Sequence, residues 1–66
     1  MNIQLNGIPC TCDTGITLAA LLARQGVDPR YVAVAVNCEF VPRAQHRAQR
    51  LADGDEVELL TPRQGG

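Results

Sequence analysis

The 66-residue sequence contains no lysine and no tryptophan, and only one tyrosine, one phenylalanine, one histidine and one methionine. Without lysine the chain has no side-chain amine for an isopeptide bond, so copies cannot be strung together through one another's side chains. With one tyrosine and one phenylalanine it lacks a platform on which nucleic-acid bases could stack. All six basic residues are arginines, and seven acidic residues leave a net charge of -1. A nucleic-acid binder needs a basic face to neutralise phosphates, so the charge balance argues against that class. No apolar run approaches the roughly 18 residues of a membrane span, and no charged-then-apolar leader is present. The expectation is a soluble, cytoplasmic protein with no membrane partner.

The cysteines are few and awkwardly placed for chemistry. Three is an odd count, and Cys10-Thr11-Cys12 lacks the two-residue gap usual in zinc knuckles and redox motifs. They read as reduced thiols. The alternative, a redox pair or a metal site with His46, has only one histidine and no second cysteine cluster to draw on. A chain this short forms one domain, residues 1–66, whose core supplies about 3–5 kcal/mol of net stability. It has no room for a deep catalytic cleft.

What is present is a clear alternation of apolar and polar residues. Met1, Ile3 and Leu5 alternate with Asn2 and Gln4, the period of a half-buried strand. Asn6-Gly7 follows, a strong hairpin signal because a type I′ turn needs positive φ at both central positions. Ile8, Cys10 and Cys12 alternate in their turn, and Pro9, lacking a backbone donor, puts that second strand at a sheet edge. Thr17 then caps a helix over roughly 18–25. Leu18, Leu21 and Leu22 make its apolar stripe, and Gly26 stands where a left-handed C-cap belongs.

After the loop Val27-Asp28-Pro29-Arg30, the apolar run from Tyr31 to Val36 reads as a strand buried on both faces or nearly so. Asn37-Cys38 turns it into a short strand, Glu39-Phe40-Val41, ended by Pro42. Arg43 to Arg50 reads as a solvated connector with at most one helical turn, and Leu51 should plug back into the core. Its arginines Arg43, Arg47 and Arg50 leave an anionic-partner site open as an alternative. Asp53-Gly54-Asp55 is a tight turn, and Val57 and Leu59 mark the last strand. Pro62 cannot continue the ladder, so residues 62–66 should form a flexible C-terminal tail.

That tail ends in Gln64-Gly65-Gly66. A free α-carboxyl titrates near ~3.5 and is an anion at neutral pH. Two residues without Cβ can thread a narrow channel that side chains would jam. Gly66 is therefore the expected point of chemistry, with Gly65 and Gln64 threading a partner's active site. The order strand, strand, helix, strand, strand, strand fits an α+β domain: a mixed sheet of four to five strands gripping one helix, its first and last strands central and parallel.

Asn6-Gly7, the run from Val32 to Asn37, Val41-Pro42-Arg43, the stretch from Leu51 to Glu58, and the terminal Gly65-Gly66 resemble the ThiS-type sulfur carriers of thiamine biosynthesis. The Asp-Gly-Asp turn and the diglycine are shared with MoaD-type molybdopterin carriers, whereas the Ala-Val-Ala-Val-Asn stretch followed by Val-Pro-Arg is the more specific mark. The resemblance implies a β-grasp, ubiquitin-like fold. It also implies that a ThiF-like enzyme adenylates the Gly66 carboxylate with ATP and Mg²⁺, and that a sulfur donor, a cysteine desulfurase or sulfurtransferase, converts it to a thiocarboxylate. A thiazole synthase then takes the sulfur. On this reading the chain is a protein cosubstrate with no catalytic residue, no bound cofactor and no metal, and Phe40 and Arg43 lie on its partner surface. A MoaD-like or other sulfur-metabolite carrier, a ubiquitin-like modifier and a plain β-grasp interaction module are the alternatives. Cys38 in place of glycine after Asn37, and His46 where an aromatic is expected, depart from the family pattern.

Overall fold

Met1 to Thr11 fold as the alternation demands, in a computed structural model that describes residues 1–61. Strands β1 (Asn2–Leu5) and β2 (Ile8–Thr11) pair antiparallel, with Ile3 opposite Cys10 and Leu5 opposite Ile8. Asn6 and Gly7 take φ of 51° and 80°, the left-handed pair that a type I′ turn requires. Pro9 lies in β2, and β2 is an edge strand. The helix α1 (Leu18–Arg24) follows, then β3 (Ala33–Val36), β4 (Glu39–Val41) and β5 (Glu56–Leu60). The sheet has five strands in the order β2-β1-β5-β3-β4. The expected central parallel pair is β1 with β5, and β3 runs antiparallel on the other side of β5.

One face of the sheet is apolar and packs on the helix. Ile3, Val34, Val36, Val41 and Val57 point there and meet Leu18, Leu21 and Leu22 of α1, with Cys12, Ile16 and Leu51 closing the ends. A fully buried leucine or valine gains about 1.5–3 kcal/mol from leaving water, so these side chains carry most of what holds so short a chain together.

Both ends of α1 are satisfied. Gly26, at φ 70°, donates to the Ala23 carbonyl and Val27 donates to that of Leu22, the paired bonds of a Schellman ending. At the other end the Ala20 amide donates to Thr17 Oγ1 at 3.1 Å, while Leu18 and Ala19 donate to the carbonyls of Gln49 and His46 at 2.8 and 3.0 Å.

Those last two bonds refine the reading of residues 43–50 as a solvated connector: most of its side chains are exposed, as expected, but its backbone and His46 are held in place. After a 3₁₀ turn (Arg43–Gln45), the segment lies along the start of α1, bridges Thr17 through Arg50, and delivers Leu51 to the core. His46 is its anchor, 3% exposed, with Nε2 donating to the Val41 carbonyl at 3.0 Å. A carbonyl can only accept, so the proton sits on Nε2. Nδ1 is buried with no hydrogen-bond partner among the described residues. Hydrophobic patterning could not reveal this segment, because it is held by backbone carbonyls and one ring.

A correction concerns Tyr31. Asp28 accepts from the Arg30 amide at 2.9 Å and Pro29 stands at the first position of a 3₁₀ turn (Pro29–Tyr31). The turn consumes Arg30 and Tyr31, so β3 begins only at Ala33 and is half-buried rather than buried on both faces.

Replacing His46 with alanine removes a buried ring and strands the Val41 carbonyl, so we expect a loss of about 2–3 kcal/mol and a fall in Tm of roughly 10–20 °C. His46→Phe keeps the volume but not the donor and should cost about 1–2 kcal/mol. Thermal denaturation followed by circular dichroism checks both, and an unchanged midpoint for His46→Ala would contradict the anchoring role.

Candidate functional site

The face of the sheet turned away from the helix is only partly polar. Phe40 of β4 pairs with Ala35 of β3, and Ala35 pairs with Glu58 of β5, so these three side chains form one row across the sheet. Ala33 and Leu60 pair in the next row. Phe40 is 66% exposed and Leu60 57%. Leu60 emerges on this side because Val57 and Leu59 take the inward positions, and a fifth strand residue must then face out. Glu56, next to Gln4, continues the same face.

The last described residue, Thr61, leaves the sheet at the Leu60 end of β5. Beside it lies a groove of about 310 Å³ lined by Arg30, Tyr31, Val32, Ala33, Leu60 and Thr61. Tyr31 is 64% exposed, and the Arg30 guanidinium lies 5.4 Å from its ring centroid. The two Nη2 and Nε donors of Arg30 grip the Asp28 carboxylate, the shortest contact being 2.8 Å. The Arg30 hydrogen bonds hold the Asp28 carboxyl down at about 2, with a smaller contribution from the charge of Arg43. Asp28 in return raises Arg30 above its ordinary value. The ion pair is exposed and contributes little to stability. Its consequence is geometric, since it fixes the arginine that flanks Tyr31.

At the opposite end of β5 a hollow of about 190 Å³ is lined by Gln4, Gly7, Cys38, Glu56, Val57 and Glu58. Asn37 and Cys38 both take positive φ, 52° and 69°, in a second left-handed turn, and the Cys38 thiol is exposed. Cys10 is half-buried, Cys12 is buried, and all three thiols are free. Among the described residues no group of three or more His, Cys, Asp or Glu side chains could hold a metal ion. No helix among them is long and apolar enough to cross a membrane.

Of the residues singled out from the sequence, Gln64, Gly65 and Gly66, with the rest of the expected tail, lie outside the described residues. Phe40 is on the exposed sheet face, and Arg43 opens the 3₁₀ turn beyond Pro42, near enough to Asp28 for its charge to act there. Tyr31 and Leu60 were missed. Asp28-Pro29 signals a capped turn rather than a strand, and the doubled leucine after Glu58 breaks the alternation, so each left a mark in the sequence.

A mixed five-stranded sheet gripping one helix, with the last strand central in the sheet, defines a β-grasp domain. The chain belongs to the ThiS family, whose model matches residues 3–66. It is similar over its whole length to the crystal structure of the thiamine biosynthesis protein (ThiS) from Geobacter metallireducens, with 36% identity, full coverage of both chains and a TM-score of 0.87. It is also 36% identical, over all 66 residues, to a thiazole synthase of Paramagnetospirillum magneticum, of which it spans 20%. A further relative, the uncharacterized protein ycf40 of Pyropia yezoensis, is 33% identical, and the match covers all of this chain and 93% of that one. The chain thus spans about a fifth of the length of the thiazole synthases it matches.

Asp28 provides a direct check of the groove's fixed wall. A carboxyl held low adds stability above the unfolded value of about 3.9, and that contribution is lost as pH falls through about 2. The clamp on Arg30 should therefore persist across the neutral range. Carboxyl titration by NMR should give a midpoint near 2 for Asp28 and a return toward about 3.9 in Arg30→Ala. A midpoint that ignores the substitution would refute the clamp.

Proposed function

We propose that this chain is a sulfur carrier of thiamine biosynthesis that delivers sulfur for thiazole formation from a thiocarboxylate on Gly66. The observation that carries this reading is the family match, which runs from residue 3 through Gly66. The whole-chain likeness to a thiamine biosynthesis protein supports it.

The chemistry asks a handle of the carrier and activation of its partners. A carboxylate is a poor electrophile, because its negative charge repels a nucleophile and oxide is not a leaving group. A ThiF-like partner holding ATP and Mg²⁺ joins a Gly66 carboxylate oxygen to the α-phosphorus and releases pyrophosphate. The terminal sulfur of a persulfide supplied by a cysteine desulfurase or sulfurtransferase then attacks the acyl carbon and expels AMP, and a second thiol cleaves the resulting acyl disulfide, forming a disulfide and releasing the thiocarboxylate. Thiazole synthase takes that sulfur. The relatives named thiazole synthase, which contain a segment like this chain within a longer polypeptide, support a synthase as partner.

On this reading the protein is a cosubstrate, and catalytic groups belong to the enzymes it visits. Gly65 and Gln64 lie within the partner's channel, and the folded domain is the part the partner grips. Phe40 on the sheet face and Arg43, at the start of the 3₁₀ turn beyond Pro42, are contact residues in this scheme. Three free thiols suit a reducing cytoplasm.

Removal of Gly66, or Gly65→Val, should reduce thiazole formation to background when the chain is combined with its adenylating enzyme, sulfur donor and thiazole synthase. The thermal midpoint should not change, since the core lies wholly within residues 3–57. Full thiazole formation by the shortened chain would overturn the proposal.

A further inference from the structure

We propose that Arg43 and Arg30 keep the activated terminus selective for sulfur, by supplying positive charge around the tail's exit without a nitrogen that Gly66 could acylate. The inference rests on the carrier reading and adds how the carrier's own body avoids consuming the intermediate.

The intermediate sets the problem. In an acyl-adenylate the Gly66 carbonyl carbon is open to any nucleophile. Water restores the carboxylate, and a thiol gives a thioester that a sulfur donor can still attack. An amine forms an amide, releases AMP and gives up a proton to solvent, and the terminus is then closed to sulfur. Amines are therefore the groups to be kept from adenylate that leaves the enzyme before sulfur arrives.

Reach decides which positions matter. The tail beyond Thr61 has five residues, and a chain spans at most about 3.3–3.6 Å per residue, or about 18 Å in all. Arg30 lines the same groove as Thr61. Arg43 stands at the same end of the sheet: Ala33 pairs with Leu60 and Val34 with Val41, so Pro42 comes level with Ala33 and Arg43 lies just beyond. Two strand spacings, about 10 Å, separate β4 from β5. Both arginines thus stand within the tail's radius. An amine tethered there would act at an effective concentration on the order of millimolar.

A guanidinium stays protonated in proteins and offers no lone pair, whereas a lysine would carry the same charge with a neutral fraction able to attack. For Arg30 the two-pronged grip on Asp28 is a separate reason for arginine. Arg43 is exposed and makes no hydrogen bond or ion pair among the described residues, so the fold itself does not call for a guanidinium there.

The α-amine of Met1 is the only amine among the 66 residues, and the fold removes it from the tail in two ways. Met1 is half-buried, and its ammonium donates to the Cys12 carbonyl at 2.7 Å. Leu5 lies beside Val57 in the parallel pair, with Met1 four residues before the one and Thr61 four residues after the other. About 26 Å of strand therefore separates Met1 from Thr61, more than the tail can span.

The test incubates the full chain with the adenylating enzyme of the same organism and ATP with Mg²⁺, without a sulfur source, and reads the intact mass. The parent chain should support ATP–pyrophosphate exchange and keep its mass. Arg43→Lys, with the parent's exchange rate and thermal midpoint, should accumulate a product lighter by one water, in which Gly66 is joined to the side chain at position 43 by a bond that hydroxylamine does not cleave. Its rate relative to exchange should rise about tenfold between roughly pH 7 and 8, following the neutral fraction of an amine that titrates near ~10.4. Arg43→Gln should give no such product. Exchange by Arg43→Lys at the parent's rate with no joined product would overturn the inference and leave the carrier reading intact, and so would an amide between Gly66 and Met1 in the parent chain. No exchange with the parent chain, from an enzyme active on another carrier, would overturn both.

Discussion

Strand β5 has to satisfy both edges of its backbone with one strand from the start of the chain and one from its middle. On one side β1 runs parallel to it, and on the other β3 runs antiparallel. The parallel ladder is short: Gln4 donates to the Asp55 carbonyl and Asn6 to that of Val57, each at 2.9 Å. Beyond it β1 turns away, and the Asn6 side chain takes over, accepting from the Leu59 amide at 2.8 Å. Asn37, in the other left-handed turn, accepts from the Glu56 amide and donates to Asp55 at 3.0 Å. A buried or pairing amide left without a partner costs about 1–3 kcal/mol, so two asparagine side chains complete what the short strands leave open.

The rest of the molecule follows from that central placement. With β5 in the middle, its inward side chains meet the helix and its outward ones share a face with β3 and β4. Because β1 and β5 are parallel, the chain enters the sheet at one end and leaves at the other, beside Tyr31 and Leu60 rather than beside Met1. On the proposed reading the carboxylate enters an enzyme while the folded body stays outside, and β5 leads the chain to one end of the sheet. The body then needs only shape, which accords with a core held by a few leucines and valines.

Much of this was legible in the sequence. Asn6-Gly7 and Asp53-Gly54-Asp55 are turns whose backbone angles few other residues accept, and the turns fix the register of the strands around them. In the turn, Gly54 takes φ 87° and its amide bonds the Asn2 carbonyl, which ties the start of β5 to β1. Strand order, helix and core leucines are read from periodicity, since burial on one face imposes it. Tyr31 was only faintly legible, through Asp28-Pro29, and His46 was not legible, for different reasons. A single capped turn after Asp28 removes two residues from an apolar run without changing its composition. Residues 43–50 are held by carbonyls accepting from the first turn of α1, and a backbone contact leaves no pattern in side chains. His46 stands alone among polar neighbours, and only the partner it finds on Val41 shows that it is inside.

The central claim is that sulfur travels on Gly66. A fragmentation mass spectrum of the intact chain, taken after incubation with its adenylating enzyme, ATP with Mg²⁺ and a sulfide source, tests it most directly. Replacing oxygen by sulfur changes the nominal mass almost as oxidation of Met1 or a thiol does, so the change has to be assigned to a residue. We expect every modified fragment to contain Gly66, and the modification to vanish without ATP. Sulfur or oxygen placed on Cys38 or Met1 with an unaltered Gly66, from an enzyme shown to be active, would contradict it.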